Sequence, residues 1–178
     1  RMYPETDIPI LKVSLEHWDS IRGNLPLSTE QRRERLQNFD LSQNQMEAIL
    51  GSEMDDVLIT GVEGGSYGCP PVPAKAWASA ILDNNRADIA EGTGRDQSEV
   101  PWPILTLAVH AREEDIITRE GLIPLARKLW LEGPLSTDIE FKQRLEWFAQ
   151  QAEKAGFTPA DTGAVEAAVD EAVAENMD

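Results

Sequence analysis

Apolar residues recur at intervals of three or four along most of the chain, which is the period of an amphipathic α-helix. The first such segment follows Ser14, a residue type that caps helices, and stops at Gly23-Asn24. The sequences STEQ, from Ser28, and SQNQ, from Ser42, have the spacing of capping boxes and predict the starts of two further helices. The predicted apolar face of the first helix comprises Leu15, Trp18 and Ile21.

The helical pattern continues through the C-terminal half. A fourth helix is predicted from about Ser52 to Thr60, a fifth in AKAWASAILDNN and a sixth in ILTLAVHAR, where apolar density leaves a strand as the alternative. ITREGLIPLARKLWLEG predicts a helix with a kink or restart at Pro124. Thr137 and Glu140 have capping-box spacing before the next helix. The predicted apolar stripe of that helix comprises Phe141, Leu145, Phe148 and Ala152. The last predicted helix begins at about Thr162 and turns Val165, Ala168, Val169, Ala172 and Val173 inward.

Two segments interrupt the helical pattern and suggest the domain organisation. Pro4 and Pro9 disfavour helix in residues 1–13, which we expect to form an extended arm. AEGTGRDQSEVPWP is polar, contains two glycines and ends in a Pro-Trp-Pro turn, as expected of a domain boundary. The prediction is an all-α protein in which the arm is followed by two small helical domains, at 14–97 and 98–178.

Composition narrows the class of protein. The 178 residues carry a net charge of −16, which repels nucleic acid unless the basic residues are gathered on one face. Such an acidic surface is typical either of adaptation to high salt or of a protein with a basic partner. The single cysteine, Cys69, excludes an internal disulfide. No apolar run predicts a membrane span or a signal peptide, so we expect a cytoplasmic location.

Candidate catalytic groups are sparse. No glycine-rich segment has the spacing of a phosphate-binding loop. His17 and His110 each lack a second histidine or a cysteine three or four residues away, so we predict no metal site. The acids of 113–115 precede a predicted helix, where the helix dipole accounts for them. The residue pattern alone therefore predicts a helical protein without a visible active site.

The basic residues give one candidate binding surface. Arg127 and Lys128 lie on one predicted helix, and Lys142 and Arg144 lie on the next. If these helices are adjacent, the four side chains form a phosphate-binding face. Ordinary surface charge remains the alternative.

The opening RMYPETDIP, from Arg1 to Pro9, resembles a signature of GatE, the archaeal-type glutamyl-tRNA(Gln) amidotransferase component of the GatB/GatE family. GatB, the bacterial-type counterpart, has a similar segment with a proline in place of Thr6. Three later segments are similar to family helices in the same order. They are Leu25–Leu50, Thr118–Trp130 and Val165–Asp178.

The resemblance implies a C-terminal fragment. Residues 1–13 would end the catalytic cradle domain, 14–97 would form the helical domain, and 98–178 would form a YqeY-like tail domain cut before its end. The implied reaction is the conversion of Glu-tRNA(Gln) to Gln-tRNA(Gln), with ATP and Mg²⁺ used in the cradle and ammonia supplied by a GatD-type amidase partner. The fragment itself is expected to bind tRNA through Arg127, Lys128, Lys142 and Arg144, and to bind no cofactor.

Some alternatives stay open at this point. Arg1, Glu5 and Asp7 are of the residue types that line an ATP or Mg²⁺ site, so they could border the activation site, or they could only hold the arm in place. The chain could correspond to the bacterial-type GatB rather than to GatE. It could also be a non-enzymatic, acidic helical module that binds other proteins.

Overall fold

The computed structural model describes Lys12 and residues 14–65, 69–133 and 140–159, and in these ranges the regular structure is entirely helical. This confirms the all-α prediction for the described residues. The nine α-helices within them are α1 Leu15–Gly23, α2 Thr29–Leu36, α3 Gln43–Gly51, α4 Asp55–Glu63, α5 Ala74–Leu82, α6 Asn85–Ala90, α7 Trp102–Glu113, α8 Leu122–Glu132 and α9 Phe141–Ala155. The predicted extended arm and the helix predicted from Thr162 lie outside the described residues.

Serine side chains start the first three helices, as the sequence predicts. Ser14 accepts a hydrogen bond from the backbone N–H of His17. Ser28 and Ser42 form complete capping boxes, since each accepts from the backbone N–H three residues later and donates its own N–H to a glutamine side chain. These bonds satisfy backbone donors that have no partner inside the helix, so local sequence is sufficient to place these helix starts.

The predicted interruption at Pro124 is displaced. A 3₁₀ turn spans Arg119–Gly121, and α8 begins directly after it at Leu122. Pro124 is therefore the third residue of α8, inside the first turn, where the missing N–H of proline costs no helical hydrogen bond. The restart lies two residues before the proline.

Three predicted helix boundaries need correction. The start of α9 lies at Phe141, and Glu140 has an extended backbone and is the N-cap itself, not the third residue of a capping box. Thr137 lies outside the described residues. The fourth helix is shifted to Asp55–Glu63. The segment predicted as one fifth helix is followed by a second short helix, α6, after Asn84, whose positive φ of 58° turns the chain.

One cluster of buried apolar residues extends from Leu36 on α2 to Ala152 on α9. Packing crosses the polar segment between α6 and α7, because α5 lies against α7 and α6 lies against α8. The core thus continues across residue 97, and the division into two domains at that point stays a prediction. The predicted stripe of α9 faces this core, with Phe148 and Ala152 buried and Phe141 and Leu145 packed at its edge.

The first helix differs from the others, since none of its residues is buried. Its apolar face forms as the sequence predicts, but Leu15 is 81% exposed and Trp18 is 54% exposed. Ile21, Leu25 and Leu27 are exposed as well. The described part of the chain therefore leaves an apolar stripe on its surface.

Candidate nucleic-acid interface

Arg127, one of the four cations predicted to bind tRNA, is held by the backbone of α6. Its Nε donates to the carbonyl of Ile89 at 2.9 Å, and its Nη2 donates to the carbonyl of Asp88. Both carbonyls lie near the C-terminal end of α6, where helix carbonyls lack helical partners and a cation is favoured. The observed contacts of Arg127 therefore join α8 to α6.

Arg144, the second of these cations, lies inside the body. The residue is 7% exposed, on the buried side of α9. It is close enough to Cys69 for its charge to lower the pKa of that thiol, although burial has the larger effect and the net pKa is raised. The structure thus places Arg144 on the side of α9 that faces the protein interior.

Lys128 and Lys142 are exposed, on α8 and α9 respectively. Each has a glutamate four residues further along the same helix, Glu132 and Glu146, which reduces the local positive potential. The structure thus places two of the four predicted cations at the surface and engages the other two in the body. A role in tRNA binding stays a prediction for all four. The predicted border of the activation site, Arg1, Glu5 and Asp7, lies outside the described residues.

The basic cluster of α2 is used for packing between helices. Both Nε and Nη2 of Arg32 bond the carboxylate of Asp55 at the start of α4, with Nε 3.0 Å from Oδ2. The hydrogen bond from Arg32 lowers the pKa of Asp55, which is 3% exposed. Arg35 reaches Asp56 at 2.9 Å, and Arg33 lies 3.6 Å from Glu47 on α3. These three arginines bind carboxylates on the neighbouring helices α3 and α4.

Arg86 plays a similar role next to the polar segment between α6 and α7. Its Nε and Nη2 donate to the carbonyls of Val100 and Ser98 at 2.9 and 2.8 Å. Its guanidinium lies 4.3 Å from the ring centroid of Trp102, in a cation–π contact. Arg95 lies 5.1 Å from the ring centroid of Trp130. These contacts hold the segment predicted as a boundary against the helical body.

An apolar recess of about 220 Å³ lies between α4, α5 and α7. The rings of Trp77 and Trp102 meet edge to face there, with centroids 6.0 Å apart. The indole N–H of Trp77 donates to the carbonyl of Val57 at 3.1 Å, and the hydroxyls of Thr60 and Thr106 donate to carbonyls in their own helices. Because these donors are committed, the recess offers mainly carbon surface.

A second, polar groove of about 840 Å³ forms where α5, α6, α7 and the turn before α8 converge. Lys75, Arg112 and Arg119 line it from three separate elements. Lys75 lies 37 residues before Arg112, which is seven residues before Arg119, and no motif connects the three cations in the sequence. Asp83, Asp88 and Glu113 also line the groove.

Metal-ligating groups do not cluster within the described ranges. In them, no group of three or more histidine, cysteine, aspartate or glutamate side chains is arranged to hold a metal ion. His110 packs edge to face on Phe141, with ring centroids 4.9 Å apart, and its Nε2 lies 3.9 Å from Glu114. Cys69 is buried, and burial raises the pKa of its thiol, which disfavours the reactive thiolate. None of the described helices has the length and apolar character needed to cross a membrane.

Comparison with known proteins finds relatives among amidotransferase components of the B and E types. The chain is 28% identical over 182 residues to the B component of the aspartyl/glutamyl-tRNA(Asn/Gln) amidotransferase of Bifidobacterium longum strain DJO10A, a match that covers 100% of this chain and 33% of that protein. It is 29% identical over 179 residues to the corresponding protein of Corynebacterium efficiens, with 100% and 32% covered. It is 26% identical over 180 residues to the E component of the glutamyl-tRNA(Gln) amidotransferase of Thermococcus gammatolerans, with 100% and 25% covered.

These matches relate the chain to amidotransferase proteins without separating the B type from the E type. No family model matches the chain, and no solved structure matches it. The chain spans about a third or less of the length of these relatives. Identities to the B-type and E-type proteins fall in the same range and do not separate the two types. The chain is a distant homologue of the GatB/GatE amidotransferase proteins, over roughly their C-terminal third.

Proposed function

We propose that this chain serves as the C-terminal helical part of a protein that acts in tRNA-dependent amidation, and that it helps to hold the aminoacyl-tRNA. The reaction in view is the conversion of Glu-tRNA(Gln) to Gln-tRNA(Gln). The observation that carries the proposal is the homology along 100% of the chain to amidotransferase components of the B and E types, whose names specify this class of reaction.

The proposal assigns this chain a binding role and no catalytic step. The described helices from α2 to α9 pack around one apolar core. As the resemblance implies, the proposal places ATP, Mg²⁺ and the activating chemistry on another part of the enzyme, together with the contact to an amidase partner. In this scheme the location is cytoplasmic, where tRNA is charged.

Electrostatics limit how the chain can bind tRNA. With a net charge of −16, the whole surface repels a polyanion, and increasing salt screens this repulsion while it weakens each phosphate contact. Binding must then rely on a small number of local cations that tRNA can reach. In the described structure Lys128 and Lys142 are exposed on α8 and α9.

The test is tRNA binding by the full chain in a fluorescence anisotropy titration, at several salt concentrations, with a tRNA(Gln) transcript and with an unrelated tRNA. We expect saturable binding whose affinity falls as salt rises. Lys128→Glu and Lys142→Glu should each weaken binding about threefold or more, since each replaces a cation by an anion.

Lys154→Glu is the matched control. Lys154 is also an exposed lysine, in the last turn of α9, so this variant changes the net charge by the same amount. Equal effects of all three substitutions would indicate net charge rather than contact. Absence of tRNA binding at low salt by a folded chain would contradict the proposed role.

One observation favours a second candidate, a module that binds other proteins. The apolar stripe of α1 is exposed, and large exposed apolar patches mark interaction surfaces. An interaction module of this kind would leave tRNA unbound in the same titration. Trp18→Ser removes an aromatic side chain from the apolar stripe of α1. This variant should have no effect on tRNA binding under either candidate function.

A further inference from the structure

The polar groove between α5, α6, α7 and the turn before α8 combines two features that the predicted cation set lacks. It is concave, with a volume of about 840 Å³, and it receives cations from three different elements. We call it the α5–α8 groove and define it by Lys75, Ser79, Asn85, Arg112 and Arg119. A backbone of nucleotides is recognised by cations placed along a groove, with neutral donors and acceptors between them.

The cations of the α5–α8 groove differ in how firmly they are engaged. Lys75 pairs with Asp40 at 2.6 Å, but the two side chains are 60% and 90% exposed. Arg112 pairs with its neighbour Glu113, and these two side chains are partly exposed, at 27% and 32%. Solvent-accessible pairs of this kind contribute little to stability, so a phosphate can replace the carboxylate at low cost.

Arg119 is the cation of this groove that is most available to a ligand. Within the described residues its side chain forms neither an ion pair nor a hydrogen bond, and the residue is exposed. It lies in the 3₁₀ turn directly before α8, and the backbone N–H of Thr118 donates to the carbonyl of Phe157 at 2.7 Å, which anchors this turn to the end of α9. The position of Arg119 is therefore fixed while its guanidinium remains available.

Polar groups in the lining favour RNA over a bare anion. Asp83 and Asp88 repel a free phosphate ion, yet carboxylates accept hydrogen bonds from the 2′-hydroxyls and amino groups of a nucleotide chain. Ser79 and Asn85 supply further neutral partners. The lining contains three cations and three acids, so the groove is locally neutral on a chain whose net charge is −16.

We infer that the α5–α8 groove binds the sugar-phosphate backbone of tRNA, with Arg119 as a direct phosphate contact and with Lys75 and Arg112 recruited from their solvent-accessible ion pairs. This inference rests on the proposed function and names the surface that performs it.

The experiment measures tRNA affinity and its salt dependence for the full chain and for three variants, two at position 119 and one elsewhere. Arg119→Glu should weaken binding about five- to tenfold and reduce the slope of log K against log salt by about one. Arg119→Lys keeps the charge and should retain most of the affinity. Lys154→Glu makes the same charge change at an exposed position outside the lining of the groove and should alter affinity less than about twofold.

A second pair of variants removes negative charge and tests whether tRNA binding becomes stronger. Asp83→Asn removes a negative charge from the lining, and Glu153→Gln removes one from an exposed position on α9. We expect Asp83→Asn to strengthen binding about two- to threefold more than Glu153→Gln does.

The outcomes separate the two proposals. If the unmodified chain binds tRNA but Arg119→Glu behaves like Lys154→Glu, the groove is not the binding surface, while the tRNA-binding function stands. If the folded chain binds no tRNA at any salt concentration, both proposals fail. Loss of binding with both glutamate and lysine at position 119 would indicate a structural role of Arg119, and unchanged thermal melting of the variants is required for a contact.

Discussion

The guanidinium of Arg32 on α2 forms a bidentate ion pair with the carboxylate of Asp55 at the first position of α4. Asp55 is 3% exposed, whereas the side chain of Arg32 is 21% exposed, so the pair lies at the edge of the core. Arg32 thus keeps some contact with solvent while Asp55 is buried, and a charge-assisted bidentate bond can offset the loss of hydration of the carboxylate. The pair fixes α2 against α4 at a point where the two helices contact.

Asp55→Asn should lower the free energy of unfolding by about 1–2 kcal/mol, because it converts charge-assisted bonds to neutral ones in a buried position. Asp56→Asn is the matched control, since Asp56 occupies the same first turn of α4 but has an 80% exposed side chain paired with Arg35. The control should change stability by about 0.5 kcal/mol or less. Urea denaturation of both variants provides the comparison, and equal losses would contradict the special role of the buried pair.

Acid should remove the contribution of Asp55. The hydrogen bond from Arg32 holds the pKa of Asp55 below its ordinary value, so this carboxylate binds protons more weakly in the folded than in the unfolded chain. Its stabilisation is complete above the unfolded-state pKa of about 4 and is lost as pH falls through the lower folded-state pKa. The stability difference between the unmodified chain and Asp55→Asn should therefore be constant from about pH 7 to about pH 5 and decrease below about pH 4. A difference that grows on acidification would refute this assignment.

Gly61→Ala should destabilise the fold although alanine favours helix. A Cβ at Gly61 would lie 2.2 Å from Nε1 of Trp77, so the indole would have to move and release its hydrogen bond to Val57. We expect a loss of about 2–3 kcal/mol, after the gain of about 1 kcal/mol in helix propensity is included. Gly51→Ala, at a helical position with open space around it, should be neutral or stabilising by up to about 1 kcal/mol. Thermal melting of the two variants decides between these expectations.

Arg86→Lys should loosen the segment between α6 and α7. Lysine keeps the charge but cannot form the fork to Ser98 and Val100 or stack on Trp102 in the same way, so we expect a loss of about 2 kcal/mol. Amide hydrogen exchange in residues 91–101 should accelerate in the variant. Arg95→Lys, at an exposed contact with Trp130, should cost about 0.5 kcal/mol or less. Rapid exchange of this segment already in the unmodified chain would show that Arg86 does not restrain it.

Local sequence was sufficient for much of the helical structure. The caps at Ser14, Ser28 and Ser42 form where the sequence predicts them, because a side chain that bonds a backbone N–H three residues away needs no other part of the chain. The inward stripe of α9 was also predictable from its period. Glu140 shows the limit of this reasoning, since its capping-box spacing did not make it the third residue of a helix.

The surroundings of the basic residues were harder to predict than the helices. Arg127 and Arg144 are as basic in sequence as Lys128 and Lys142, and only their neighbours in space distinguish them. Sequence spacing placed these four together, whereas the structure brings Lys75 from a distant position to the groove that Arg112 and Arg119 also line. The availability of a cation depends on which carbonyls and carboxylates the packing brings within reach, and that information is not local.

Hydrophobic period, helix caps and net charge are properties of neighbouring residues or of composition. The helical class, the first three helix starts and the acidic character of the chain could therefore be predicted from the sequence. Which arginines bind other parts of the protein, and which remain at the surface, depends on how the helices pack. The tertiary structure set Gly61 against Trp77 and Arg32 against Asp55, and it left the apolar face of α1 uncovered in the described residues. These relationships arise when helices pack, since close packing and the pairing of buried charges depend on contacts between residues far apart in the chain.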